Sequence, residues 1–223
     1  MATTKKSTST KTITDDSQII SAYMDYVLTH DKEPRNVFIF CKENHIDESL
    51  FYSFFSSVES LKEQIWERLF ENALQTLHKD ENYASYSQRN KMLSLYFTLF
   101  ELFTLNRSYL VFTLPKSPKE IQHLKQLRLF RKHFMMFVDE LASTQTNERD
   151  AQVQKVTKPI FQQGAWLQFL FLLKFWLEDT SKGFEKTDIA IEKTVKATFD
   201  LLDTTPFESL IDFGKFLWKE KFQ

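Results

Sequence analysis

Between Arg35 and Trp66, the apolar residues Ile39, Phe40, Ile46, Leu50, Phe51 and Phe55 recur at helical spacings broken by polar turn and cap residues. This pattern predicts two short helices that share one small core, followed by a long third helix. The first is expected over residues 35–43, and Asn44-His45 is expected to turn the chain, since Asn tolerates a left-handed backbone. Asp47 is placed to cap a second helix over 48–54. Ser56-Ser57-Val58-Glu59 has the form of a capping box, with Glu59 reaching back to the cap. A long helix should therefore open near Ser57 and run to about His78.

The rest of the chain is poor in punctuation. Three glycines and five prolines in 223 residues disfavour a sheet with many tight turns and favour long helices joined by polar loops. An all-α fold is expected. Residues 1–14 are rich in Thr, Ser and Lys without an acid and read as a disordered basic arm. A helix over 17–30 follows, capped by Asp15 or Asp16. Beyond the long helix, further helices are expected over 88–106, capped by Ser87, and over 107–114. A second capping box, Ser117-Pro118-Lys119-Glu120, should open a helix that runs to about Ser143. Pro159 should bend or restart the next, which is apolar on most of its circumference from Ile160 to Glu178, with Gly183 as its C-terminal cap. An amphipathic helix over 188–203 and a last helix opened by Thr205-Pro206-Phe207-Glu208 complete the chain. Three domains result: the arm 1–14, a helix-turn-helix domain 15–66 and a helical body 67–223.

Charge and chemistry narrow the function. A net charge of −1 argues against a uniformly basic nucleic-acid binder. Cys41 is the only cysteine, so an intramolecular disulfide is impossible, which fits a reducing cytoplasm. No stretch approaches the roughly 18 apolar residues of a membrane span. The expected location is the cytoplasm, with no membrane partner. Glu120-x-x-His123 has a di-iron spacing but no second copy, and Glu120 belongs to the capping box. No zinc-protease motif, phosphate-binding glycine loop or nucleophile elbow occurs. Neither catalytic residues, nor a metal, nor a cofactor are expected.

The run from Phe40 to Leu61 resembles the helix-turn-helix signature of the TetR (tetracycline-repressor-like) family. Phe40-Cys41 stands for that family's Ile-Ala pair, Asn44-His45-Ile46 for its turn and Asp47 for its cap. Phe51-Tyr52 stands for its Leu-Tyr pair, Phe55 for its Phe, and Ser57 to Leu61 for the opening of the next helix. The resemblance implies an N-terminal three-helix DNA-binding-like domain joined to a helical ligand-binding and dimerisation bundle. It implies a dimeric transcriptional regulator controlled by a small hydrophobic ligand. DNA contacts would come from Arg35, His45, Glu48, Ser49, Tyr52, Ser53 and Lys62.

The family's usual lysine is Val58 here, and between Asn36 and Ser60 one base, Lys42, faces four acids, Glu43, Asp47, Glu48 and Glu59. Phosphate contacts dominate DNA affinity, so this surface should repel a duplex unless Arg35, Lys62 and the basic arm compensate. The alternative is a TetR-fold protein that has lost DNA binding and acts as a ligand- or protein-binding module. By the same resemblance, Tyr96, Phe100, Phe103, Phe134, Met135, Phe137, Phe161, Trp166 and Phe169 would line a ligand pocket. Trp166, Phe169, Leu170, Leu173, Leu177, Ile191, Val195 and Phe199 would meet a second subunit, making a homodimer. Aromatic and aliphatic residues at helical spacing read equally as intrachain core.

Overall fold

The computed structural model describes residues 14–115, 121, 125–143 and 151–204, with only the backbone considered for 143, 151–158 and 201–204. The described residues are helical, with no strand among them, and divide into two compact units between Ile65 and Trp66. The basic arm, the Ser117–Glu120 and Thr205–Glu208 capping boxes, the Glu120/His123 pair and the last helix lie outside the described residues.

The first unit begins with α1, Asp16–His30, capped by the Asp15 carboxylate, which accepts from the Gln18 N–H at 2.8 Å. It buries Ile19, Tyr23, Tyr26 and Val27. Helix α2 is Val37–Glu43 rather than 35–43, because the Asn36 side chain accepts from the Ile39 N–H and so caps it. Arg35 therefore lies outside the helix. Helix α3, Glu48–Phe54, is capped by Asp47. The turn between them corrects a second expectation, since His45 and not Asn44 takes the left-handed conformation, at φ 55°. The Ile46 N–H then reaches the Cys41 carbonyl at 2.9 Å, which closes α2 in the manner of a Schellman motif and buries Ile46 behind it. Tyr23 and Tyr26 meet the Phe40 ring edge-on at 5.8 and 5.9 Å, Phe40 meets Phe51 at 6.1 Å, and Phe51 meets Phe55 at 5.5 Å. This aromatic column fixes the two short helices, neither of which is long enough to persist alone.

Helix α4, Val58–Leu77, opens on a reciprocal pair in which the Ser57 hydroxyl accepts from the Ser60 N–H and the Ser60 hydroxyl accepts from the Ser57 N–H. The reach-back is thus made by Ser60, not Glu59, because the capping residue is Ser57 and its third helical position is 60.

The second unit contains the end of α4, then α5 (Gln88–Leu105), α6 (Arg107–Thr113), α7 (Arg128–Ser143), α8 (Ala151–Glu178) and α9 (Glu185–Thr204). Helix α7 packs along α8, and α9 packs against both α5 and α8. The expected helix up to Ser143 is described as α7 only from Arg128. A 3₁₀ turn, Lys125–Leu127, precedes it, with Gln126 turned inward to donate to the Thr113 carbonyl. Helix α8 runs on through Pro159, where the missing N–H forfeits one bond of the ladder in the third turn of the helix.

Gly183 does not cap α8. It sits at φ 62° inside a 3₁₀ turn, Lys182–Phe184, and Asp179 organises the α8–α9 connection instead. One Asp179 oxygen accepts from the Ser181 N–H (2.8 Å) and hydroxyl (2.6 Å), the other from the Thr187 N–H (2.9 Å) and hydroxyl (2.7 Å). The acid thereby ties the end of α8 to the first turn of α9.

The core of this unit is aromatic. Phe169 stacks on Phe130 at 4.7 Å and on Trp166 at 5.2 Å, and meets Phe134 at 5.5 Å. Trp66, Phe70, Phe103 and Trp176 extend the cluster.

Candidate functional site

In the first unit, the outward side of α3 carries Ser49, Tyr52 and Ser53, all exposed, while Phe51 holds its inner side at 0 % exposure. His45 is exposed at the turn and Glu48 is half-buried. The helix-turn-helix thus brings five of the seven expected DNA-contact residues to the turn and the helix it introduces. The remaining two are bases at its margins. Lys62, half-buried, is committed to the Glu33 carboxylate in an ion pair, whereas Arg35 is exposed with no ion pair among the described residues. Lys42 lies over the Phe38 ring at 5.9 Å. Hydrogen bonds from Ser49 hold the Asp47 carboxyl below its ordinary range, so negative charge persists at the start of α3. Phe38, Tyr52 and Phe54 expose 57, 52 and 39 % of their surface, an aromatic element that sequence spacing did not single out. Cys41 is buried, and its thiol is pushed up to about 11 by burial, with Glu48 and Asp47 adding to the effect. It is a packed thiol rather than a nucleophile.

In the second unit, the residues expected to line one pocket take several places. Tyr96, Phe103, Phe134, Trp166 and Phe169 are buried against one another, with Tyr96 meeting Phe134 at 6.2 Å and Phe103 meeting Phe169 at 6.4 Å. Met135 and Phe161 are half-buried, and Phe161 meets the Phe199 ring edge-on. Phe137 and Phe100 line two separate clefts. The first, about 270 Å³, has an apolar floor of Phe70, Leu74, Phe137 and Leu141 beneath His78, Lys91, His133 and Glu140. There His133 Nε2 lies 2.7 Å from Glu67 Oε1 and Lys91 lies over the Tyr83 ring. The second, about 300 Å³, lies where α5 meets the α8–α9 connection and is lined by Phe97, Phe100, Trp176 and Phe184 with Glu101 and Asp188.

The expected dimer-contact residues are placed inside the subunit. Trp166, Phe169, Leu170, Leu173, Ile191, Val195 and Phe199 are buried in the chain's own core, and Leu177 is half-buried. The outward side of α8 carries a different set. Ile160, Leu167 and Phe171 expose 61, 56 and 52 %, and a Cβ added at Gly164 would meet nothing within 4 Å. Positions 160, 164, 167, 171, 174 and 178 alternate steps of four and three, the spacing of a coiled-coil seam. That period is legible in the sequence. It was obscured because the opposite side of α8 is more apolar still.

Among the described residues, no group of three or more His, Cys, Asp or Glu could hold a metal ion, and no helix is long and apolar enough to cross a membrane. A family model described as "Tetracyclin repressor-like, C-terminal domain" matches residues 91–217, more than half of the chain. No curated protein matches the sequence.

Proposed function

The chain belongs to the TetR (tetracycline-repressor-like) family, and on that premise we propose that it binds duplex DNA as a homodimer and regulates transcription under the control of a small ligand. The observation that carries the reading is the exposed Ser49-Tyr52-Ser53 side of α3, held outward by buried Phe51 behind a closed helix-turn. A helix so presented can enter a major groove, and two copies related by symmetry can read two half-sites.

The dimer we propose uses the outward seam of α8, since a two-fold contact needs a self-complementary patch and the Ile160–Phe171 part of this seam is apolar with an open glycine, Gly164, within it, while Lys174 and Glu178 continue it as an ion pair. Leu167→Glu and Phe171→Glu should convert a dimer into a monomer in sedimentation equilibrium without loss of helical circular dichroism, because both side chains are exposed in the subunit. A dimer that persists in both variants would place the contact elsewhere. The ligand would occupy one of the two clefts of the second unit, and could control DNA binding only if it favours one arrangement of the dimer over another.

A second reading is favoured by the acid-rich surface of the helix-turn-helix and the Lys62–Glu33 pair. In it the family's reading head has become a protein-docking surface, with Phe38, Tyr52 and Phe54 as apolar anchors. Fluorescence anisotropy with a random duplex separates the two. The first expects affinity at low salt that falls steeply as salt rises, and Arg35→Ala should reduce that slope by about 1. A verified dimer without affinity at low salt supports the second reading and removes the first.

A further inference from the structure

We infer that the cleft between α5 and the α8–α9 connection is a binding site for a small organic cation, an ammonium carried on an apolar body. Its lining includes the part-exposed Phe97 and Phe184, with buried Phe100 and Trp176 behind them, and its charged groups are Glu101 and Asp188. Among the described residues no base lines it, although Lys182 on the connection and Lys186 in the first turn of α9 have exposed side chains. Aromatic faces carry negative charge density and attract cations, and carboxylates at the rim add a charge that a neutral or anionic ligand cannot use.

Among the described residues the two carboxylates are uncommitted. Neither Glu101 nor Asp188 makes a hydrogen bond or ion pair with a described residue, and the charges acting on Asp188 are Glu192, Asp179 and Glu185, all acids. The hydroxyls at the cleft are already used: Thr104 Oγ1 accepts from Trp176 Nε1 at 3.2 Å, and Thr187 donates to Asp179. What remains for a ligand is aromatic surface and negative charge.

The fold itself demonstrates the chemistry at two of these rings. The Arg107 guanidinium lies 4.5 Å from the ring centroids of both Trp176 and Phe184, and donates to the carbonyls of Trp176 (3.0 Å) and Leu177 (3.2 Å). Arg107 is not part of the cleft lining, and Asp179 opposes its charge. Among the described residues the cleft lining itself has two acids and no cation.

The inference stands on this cleft and does not depend on DNA binding. Three probes with one ring and different charge test it on the full-length protein: 2-phenylethylammonium, 2-phenylethanol and phenylacetate, each titrated by calorimetry. The cation is expected to bind at least tenfold more tightly than either of the others. In the double variant Glu101→Gln/Asp188→Asn, the cation should lose at least tenfold in affinity while the alcohol is unchanged. Both substitutions lie at exposed positions, and an unchanged urea midpoint verifies the fold. Equal affinity for cation and alcohol, absence of measurable cation binding, or a double variant that binds the cation as the parent does would each overturn the assignment.

Discussion

Replacing Phe169 with alanine is expected to lower the unfolding free energy by about 3–5 kcal/mol. The ring is fully buried and lies at the middle of the aromatic cluster, in contact with Phe103, Phe130, Phe134 and Trp166. Four large neighbours that are themselves rigid rings cannot collapse into the space, so the loss includes a cavity as well as the transfer of the side chain. For a domain with roughly 5–15 kcal/mol of stability, that is a large fraction. Urea unfolding should show the midpoint falling at unchanged slope. The same measurement bears on where a ligand sits. A loss below about 1 kcal/mol would mean that the rings around Phe169 are loosely packed, and a pocket at the centre of the cluster would regain its appeal over the two peripheral clefts.

Asp179 offers the second large effect. Asp179→Asn should cost about 2–3 kcal/mol at neutral pH, since one carboxylate accepts four hydrogen bonds and joins two helices through them. Burial alone would raise its pKa, but the hydrogen bonds from Ser181 and Thr187 outweigh it and hold the carboxyl at about 2, below its ordinary 3.8. A depressed pKa sets the sign: the unfolded chain takes up the proton first as pH falls, so the contribution is whole above about 4 and is lost on the way down to about 2. The stability difference between parent and variant should therefore shrink over that window and stay constant above it. A difference that persists unchanged down to pH 2 would show that shape rather than charge is responsible.

The helical class and the helix-turn-helix were legible because caps and turns are local. Asp15, Asp47 and Ser87 each accept a backbone N–H within three residues, so a short window contains the whole interaction. The start of α2 differs by two positions, because Asn36 caps it, and the cap of α4 by one, because Ser56 and Ser57 have equal capping chemistry. The left-handed residue is His45 rather than Asn44 for a related reason. The left-handed position is set by where α2 ends, and only the bond from Ile46 to Cys41 decides that it is residue 45.

Long-range partners left no such trace. The sequence does not mark Asp179, since its contact with Thr187 spans eight residues and both residues are buried in the fold. The two sides of α8 are hard to tell apart in the sequence because periodicity finds a stripe but cannot say whether the stripe meets the same chain or another. On a helix apolar nearly all round, Leu170 and Leu173 looked as suitable for a partner as Leu167 and Phe171. Packing against α7 and α9 took the first pair inside.

In the proposed function, a family member with an acidic helix-turn-helix still reads DNA as a symmetric pair. Repeated selection from a pool of duplexes with a randomised centre tests it most directly, using full-length protein at low salt. The expected result is enrichment of an inverted repeat whose half-sites lie about one helical turn, or a multiple of it, apart, and loss of that enrichment in a Ser49→Glu/Tyr52→Ala variant that retains the parent's fold. A pool that stays random through every round, or one enriched equally by the variant, would contradict it.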